Sequence, residues 1–189
     1  MADTAPRINR GLKGVYFERS GVSDIDGAAG RLSYRGYSID DLAARASFEE
    51  VAYLLLHGDL PTCDALAGFD AALRDARDLP PAVFDVIRAV SGGHPMDVLR
   101  TAVSALAAFD PKAAECSETA FLETGIRLIA QVPTIIAAHH NIRNGRDPVA
   151  PDPDLGHAAN WLWMLTGKPP TENAARLMDV DFILHAEHG

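Results

Sequence analysis

From Ile39 onward the chain repeats one pattern: a capping residue, apolar residues three or four apart, then Gly or Pro. That repetition leaves room for little besides helices packed on one another. Ser38 opens a short helix over 39–44. Ser47-Phe48-Glu49-Glu50 is a capping box, in which the Ser oxygen takes an N–H and Glu50 reaches back to the start. The helix it opens spans 48–57 and stops at Gly58, which tolerates the left-handed backbone that ends helices. Leu66, Phe69 and Leu73 mark the next helix. Pro80-Pro81 opens another, with Val83, Val86, Ile87 and Val90 on one face.

Gly92-Gly93-His94-Pro95 breaks the chain before an Ala- and Leu-rich helix over 96–109. Ser117 starts a long helix whose expected buried face is Leu122, Ile126, Ile129, Val132 and Ile136. Pro133 predicts a kink or break in it. The linker "NGRDPVAPDPD" follows. Asp154 is the expected cap of a helix ending at Thr166, before Gly167. The last helix runs from Glu172 to about His188. Its residues 177–184 are apolar except for Asp179 and Asp181, which predicts burial on most sides.

Only the first segment differs. Short β-type runs over 15–18 and 31–34 flank turn residues Asp26-Gly27 and Gly30, which reads as a small antiparallel strand pair. The expected fold class is all-α, a multi-helix domain with a small N-terminal antiparallel β element. The expected division is a β-containing segment over 1–37 and a helical portion over 38–189.

Composition narrows the function classes. A net charge of -9, with no basic stripe, argues against nucleic acid or an anionic membrane as partner. The longest unbroken apolar run, 51–56, is too short to span a bilayer. The polar start "MADTAPRINRG" has no signal-like apolar segment, so the expected location is cytoplasmic. Cys63 and Cys116 are far apart and read as free thiols.

The histidines are the remaining candidates. His57 suits the negative end of a helix, as do His139 and His140. His157 reads as a solvated residue near a helix start. His94, at the head of a helix, fits either a rigid turn or an anion site. His185 and His188, at i and i+3, share one helix face. On a buried helix they need partners. Either they are core histidines bonded to backbone carbonyls, or they donate to a carboxylate substrate. No Glu-x-x-His pair and no Cys beside a His argues for a metal.

Several stretches in order resemble the citrate synthase family: "GLKGVYFERSGVSDIDGAAGRLSYRGYSIDDLA", "SFEEVAYLLLHGDLPT", "HPMDVLRTAVSALAAFD", "RLIAQVPTIIAAHHN" and "NWLWMLTGKPPTENAARLMDVDFILHAEHG". The resemblance implies an acyltransferase that condenses acetyl-CoA with oxaloacetate to give citrate and CoA. It implies acetyl-CoA as substrate rather than any cofactor, and a homodimer. In the family's "HAEHG" element, His188 matches a histidine that contacts oxaloacetate, and His185 matches one with a supporting role. The catalytic Asp, the other two site histidines and the CoA-binding small domain belong to later family segments that have no counterpart here. The chain is therefore expected to be the N-terminal part of such an enzyme and inactive alone. The alternatives are a 2-methylcitrate synthase using propionyl-CoA, and a dimerising partial homologue without catalysis.

Overall fold

The computed structural model describes residues 20–187, together with Gly11, Gly14 and Val15. Among these residues are three short strands and eight α-helices. The strands are β1 (Ser23–Asp26), β2 (Arg31–Tyr34) and β3 (Tyr37–Ser38). The helices are α1 (Ile39–Arg45), α2 (Phe48–His57), α3 (Cys63–Asp75), α4 (Pro81–Ala89), α5 (Pro95–Leu106), α6 (Glu118–Arg143), α7 (His157–Thr166) and α8 (Glu172–Leu184). A 3-10 turn, Ala107–Phe109, extends α5.

The sheet is antiparallel in the order β1-β2-β3. The expected turn at 27–30 is present, and Asp26 accepts the Ala29 N–H at 2.9 Å to close it. The strand paired with 31–34 is Ser23–Asp26, with Ser23 opposite Tyr34. It is not the run at 15–18: Val15 is in no strand, and 16–18 lie outside the described residues. β3 was not expected, because a two-residue strand carries too short an alternation to read.

Local capping signals set the helix boundaries. Ser47 and Glu50 form the capping box, and Gly58 ends α2 at φ 97°. Ser38, Thr62, Ser117 and Thr171 each accept an N–H of the helix they start. His94 does the same at α5, its Nδ1 taking the Met96 N–H at 3.3 Å. That is the rigid-turn reading. The ring nitrogen already holds a free N–H that an anion would need.

Three clusters make the core. Leu79, Val83, Ile87, Val98, Ala102, Leu106, Ile135 and Ala138 join α4, α5 and α6. Ala52, Phe69, Leu73 and Ala130 join α2, α3 and α6. Tyr34, Leu42, Val51, Leu54 and Ile183 join β2, α1, α2 and α8.

The long helix differs from expectation in its buried side. Ala130, Thr134, Ile135, Ala137, Ala138, His139 and Asn141 are buried, whereas Ile136 is 38% exposed and Leu122, Ile126, Ile129 and Val132 are half-buried. α3, α4, α5 and α7 all pack on α6. Small residues let neighbouring backbones approach, so alanines rather than large side chains supply most of its buried apolar positions. The helix continues through Pro133 without a break. By length and composition α6 is long and apolar enough to cross a membrane, but here that length serves as the packing spine of the bundle.

α8 is shorter and less buried than expected. It ends at Leu184, and only Ile183 is fully buried. Leu177 is 73% exposed and Leu184 43%. The helix packs on α1, α2 and α7, and among the described residues nothing covers Leu177 on its other side.

Candidate functional site

The end of α8 carries the candidate substrate contacts. His185 is the C-cap of α8. Its Nδ1 lies 2.9 Å from the Asp181 carbonyl, which accepts its proton, and 3.7 Å from the Asp181 carboxylate. The ring is largely exposed, contrary to the expected burial, because it follows the buried Ile183 by two positions, about 200° round the helix from the docked side. His188 lies outside the described residues. The expected pairing of the two rings is therefore not part of the described geometry.

What holds α8 in place is a set of bonds between helix ends. Asp179 Oδ1 accepts the Phe48 N–H at 2.8 Å, so a side chain of α8 caps α2 beside its own Ser47 box. Arg176 Nη1 donates to Asp179 at 2.6 Å and to the Ala46 carbonyl at 2.9 Å, and its Nη2 donates to the Ala43 carbonyl. One arginine thus covers carbonyls at the C-terminal end of α1, where a positive charge is favoured. Tyr34 reaches the other end of α8: its hydroxyl lies 3.2 Å from the Leu184 carbonyl and 3.3 Å from that of Glu187.

Behind α8 sits a buried polar group. Glu49 Oε1 accepts the His157 N–H at 2.8 Å. Asp154 is therefore not the cap of α7. The helix starts three residues later, and its first N–H is taken by a carboxylate from α2. Burial raises the Glu49 carboxyl above its ordinary range, partly offset by the His157 N–H. His157 is buried, not solvated as its place near a helix start suggested. Its ring lies 4.7 Å from that of Phe48 and 5.7 Å from that of Phe182. Burial, and then the nearby Arg77 charge, lower its pKa to about 4. Imidazole is therefore neutral there at pH 7.

Arg77 is 2% exposed; its Nη1 donates to the Asp152 carbonyl at 2.8 Å, while its Nε and Nη2 are buried without a hydrogen-bond partner. With Arg74 on the Pro153 carbonyl, Asn160 on the Asp152 N–H and Trp163 on the Ala150 carbonyl, it fastens the linker to the bundle.

The other histidines are accounted for by packing. His139 is buried, with Nε2 3.1 Å from the Ser91 carbonyl. His57 stacks on Tyr53 at 4.1 Å, and His140 is exposed near the end of α6. Cys63 and Cys116 are free and exposed. Among the described residues no three His, Cys, Asp or Glu side chains group as a metal would require.

Sequence reasoning missed Tyr34, Glu49, Arg176 and Asp179. Asp179 alone left a signal, as a charge interrupting an apolar run. Each of the four has a partner far away in sequence, from 108 residues for Glu49 to 153 for Tyr34.

Comparison with known proteins is consistent with this architecture. The family model described as "Citrate synthase, C-terminal domain" matches residues 11–189. The chain is 47% identical over 189 residues to a citrate synthase of Acidithiobacillus ferridurans, covering 97% of this chain and 49% of that protein. It is 39% identical over 188 residues to a 2-methylcitrate synthase of Mycobacterium tuberculosis, covering 99% and 47%. A Thermoplasma acidophilum citrate synthase, solved as a ternary complex with carboxymethyl coenzyme A and oxaloacetate, superposes with a TM-score of 0.92 at 26% identity, covering 98% of this chain and 49% of that one. The chain spans about half the length of the relatives it matches.

Proposed function

The chain belongs to the citrate synthase family, and from that premise we propose that it serves a synthase that condenses acetyl-CoA with oxaloacetate to give citrate and CoA. The observation that carries this reading is the likeness to citrate synthases along nearly the whole chain, higher for the citrate enzyme than for the 2-methylcitrate enzyme. The alternative acyl donor is propionyl-CoA. One extra methylene in a pocket changes binding by only about 1–3 kcal/mol, so the two activities are close neighbours.

Within that reaction we assign this chain one wall of the oxaloacetate site. His188 donates to the substrate, and His185 supports it from the end of α8. Removing a proton from the thioester methyl group needs a base and an enol donor placed together in a dry site. We assign neither role to a residue of this chain.

The test is release of free CoA thiol by the protein purified from its native source, with oxaloacetate and either acyl-CoA. Turnover with acetyl-CoA above propionyl-CoA is expected; turnover with neither rejects the proposal. In the active protein, His188→Ala is expected to weaken oxaloacetate binding by roughly 1.5–3 kcal/mol, the range for hydrogen bonds to charged groups. Unchanged KM for oxaloacetate would remove His188 from the site.

We also propose a homodimer built on the α5–α6 face. Met96 is 63% exposed, Phe109 48% and Phe121 62%. Phe109 and Phe121 line an apolar groove of about 440 Å³ with Val103, Leu106 and Leu128. An apolar patch of this kind favours association. Light scattering of the native protein is expected to give two copies per particle, and a monomer would contradict it.

A further inference from the structure

The geometry points to Tyr34 as a positioning residue that fixes the path of the chain from Leu184 through His185 to Glu187, an inference that rests on the oxaloacetate reading above. Tyr34 has no exposed surface, and its ring packs with Leu42, Val51, Leu54 and Ile183. Its hydroxyl stands between two carbonyls, at 3.2 Å from Leu184 and 3.3 Å from Glu187. It has one proton to give, so it donates to one carbonyl at a time and holds the segment between them close. The last carbonyls of a helix lack partners within it. Here a side chain from the β-sheet bonds carbonyls on both sides of His185.

The aim of Tyr34 is set by the turn that follows it. Arg35 at φ 49° and Gly36 at φ 88° join β2 to β3, with Tyr34 opposite Tyr37. Two consecutive residues at positive φ are the signature of the tight hairpin turn that matches strand twist. A non-glycine residue is uncommon in that region. The Arg35 side chain fastens it by donating from Nη2 to the Leu55 carbonyl at 2.9 Å, while its N–H donates to the Val22 carbonyl at 2.8 Å. The turn is thus tied to the last turn of α2, and the neighbouring Tyr34 reaches the end of α8. The small sheet couples these two helix ends.

Tyr34→Phe keeps the ring and removes only the hydroxyl. In the native protein, hydrogen exchange of the His185 and Ala186 amides is expected to speed up about tenfold, while amides in the middle of α5 keep their rates. KM for oxaloacetate is expected to rise roughly fivefold with kcat within about twofold, since Tyr34 meets no reacting atom. Arg35→Gly, which accepts the positive φ, loosens the same hairpin but leaves the hydroxyl. Its KM for oxaloacetate is expected to rise by no more than about twofold, because the hydroxyl remains and is only aimed less firmly. Unchanged exchange in Tyr34→Phe overturns the inference. So does faster exchange with an unchanged KM, or an equal rise in KM in both variants. A wild-type protein without affinity for oxaloacetate defeats the substrate reading itself, and the role of Tyr34 with it.

Discussion

Ile183→Ala is expected to lower the unfolding free energy by about 2–5 kcal/mol, the range for deleting most of a buried aliphatic side chain. Ile183 is the one fully buried residue of α8, and its neighbours come from β2, α1 and α2. The cost of such a deletion depends on how far the surroundings collapse into the space. Here collapse is opposed on each side. Tyr34 is held by its bonds to the end of α8, α1 by Arg176, and the start of α2 by Asp179. A domain is typically stable by only about 5–15 kcal/mol, so the loss is a large share of the total. Leu177→Ala on the same helix is the control. Leu177 is 73% exposed, and its removal is expected to change stability by about 0.5 kcal/mol or less. Urea unfolding of the two variants measures both; equal losses would mean that α8 is not docked through Ile183.

The second large effect is a loss of stability in acid that originates at His157. Its pKa is about 4 in the folded protein against 6.5 for the free group. Between those values the folded state binds fewer protons than the unfolded state. Stability from this group is therefore complete above pH 6.5 and falls as the pH drops towards 4. The difference corresponds to roughly 3 kcal/mol. Glu49 works in the opposite sense. Burial raises its pKa above 4.5, so the folded state takes up that proton first, and acid favours folding through this group. His157→Leu removes the imidazole and keeps the backbone N–H that Glu49 accepts. Urea midpoints measured from pH 7 to pH 4.5 are expected to fall less steeply in His157→Leu than in the wild type. Parallel curves would place the acid loss elsewhere.

These two groups show where the sequence is silent. Glu49 reads correctly as part of a capping box region, and His157 reads correctly as a residue near a helix start. Nothing local shows that they meet. The same holds for Asp179 and Phe48, and for Tyr34 and Leu184. In each case the donor and acceptor are more than a hundred residues apart. The candidate site is proposed from the motif "HAEHG", because the resemblance lies in the motif's order of residues. Its surroundings were not legible there. The expected burial of His185 came from counting apolar residues on α8, and that count cannot say which side of the helix has a neighbour.

The sequence by itself determined the all-α class with its small sheet, the family, and the capped starts of several helices with the glycine stops at Gly58 and Gly167. Those depend on capping and turn chemistry, which acts within about one helical turn. Only the tertiary structure decided which faces are covered, that α6 buries its alanines, that His157 is dry, and that side chains of one helix cap the ends of another. Burial and long-range hydrogen bonds belong to pairs of elements, and a single stretch of chain does not contain its partner.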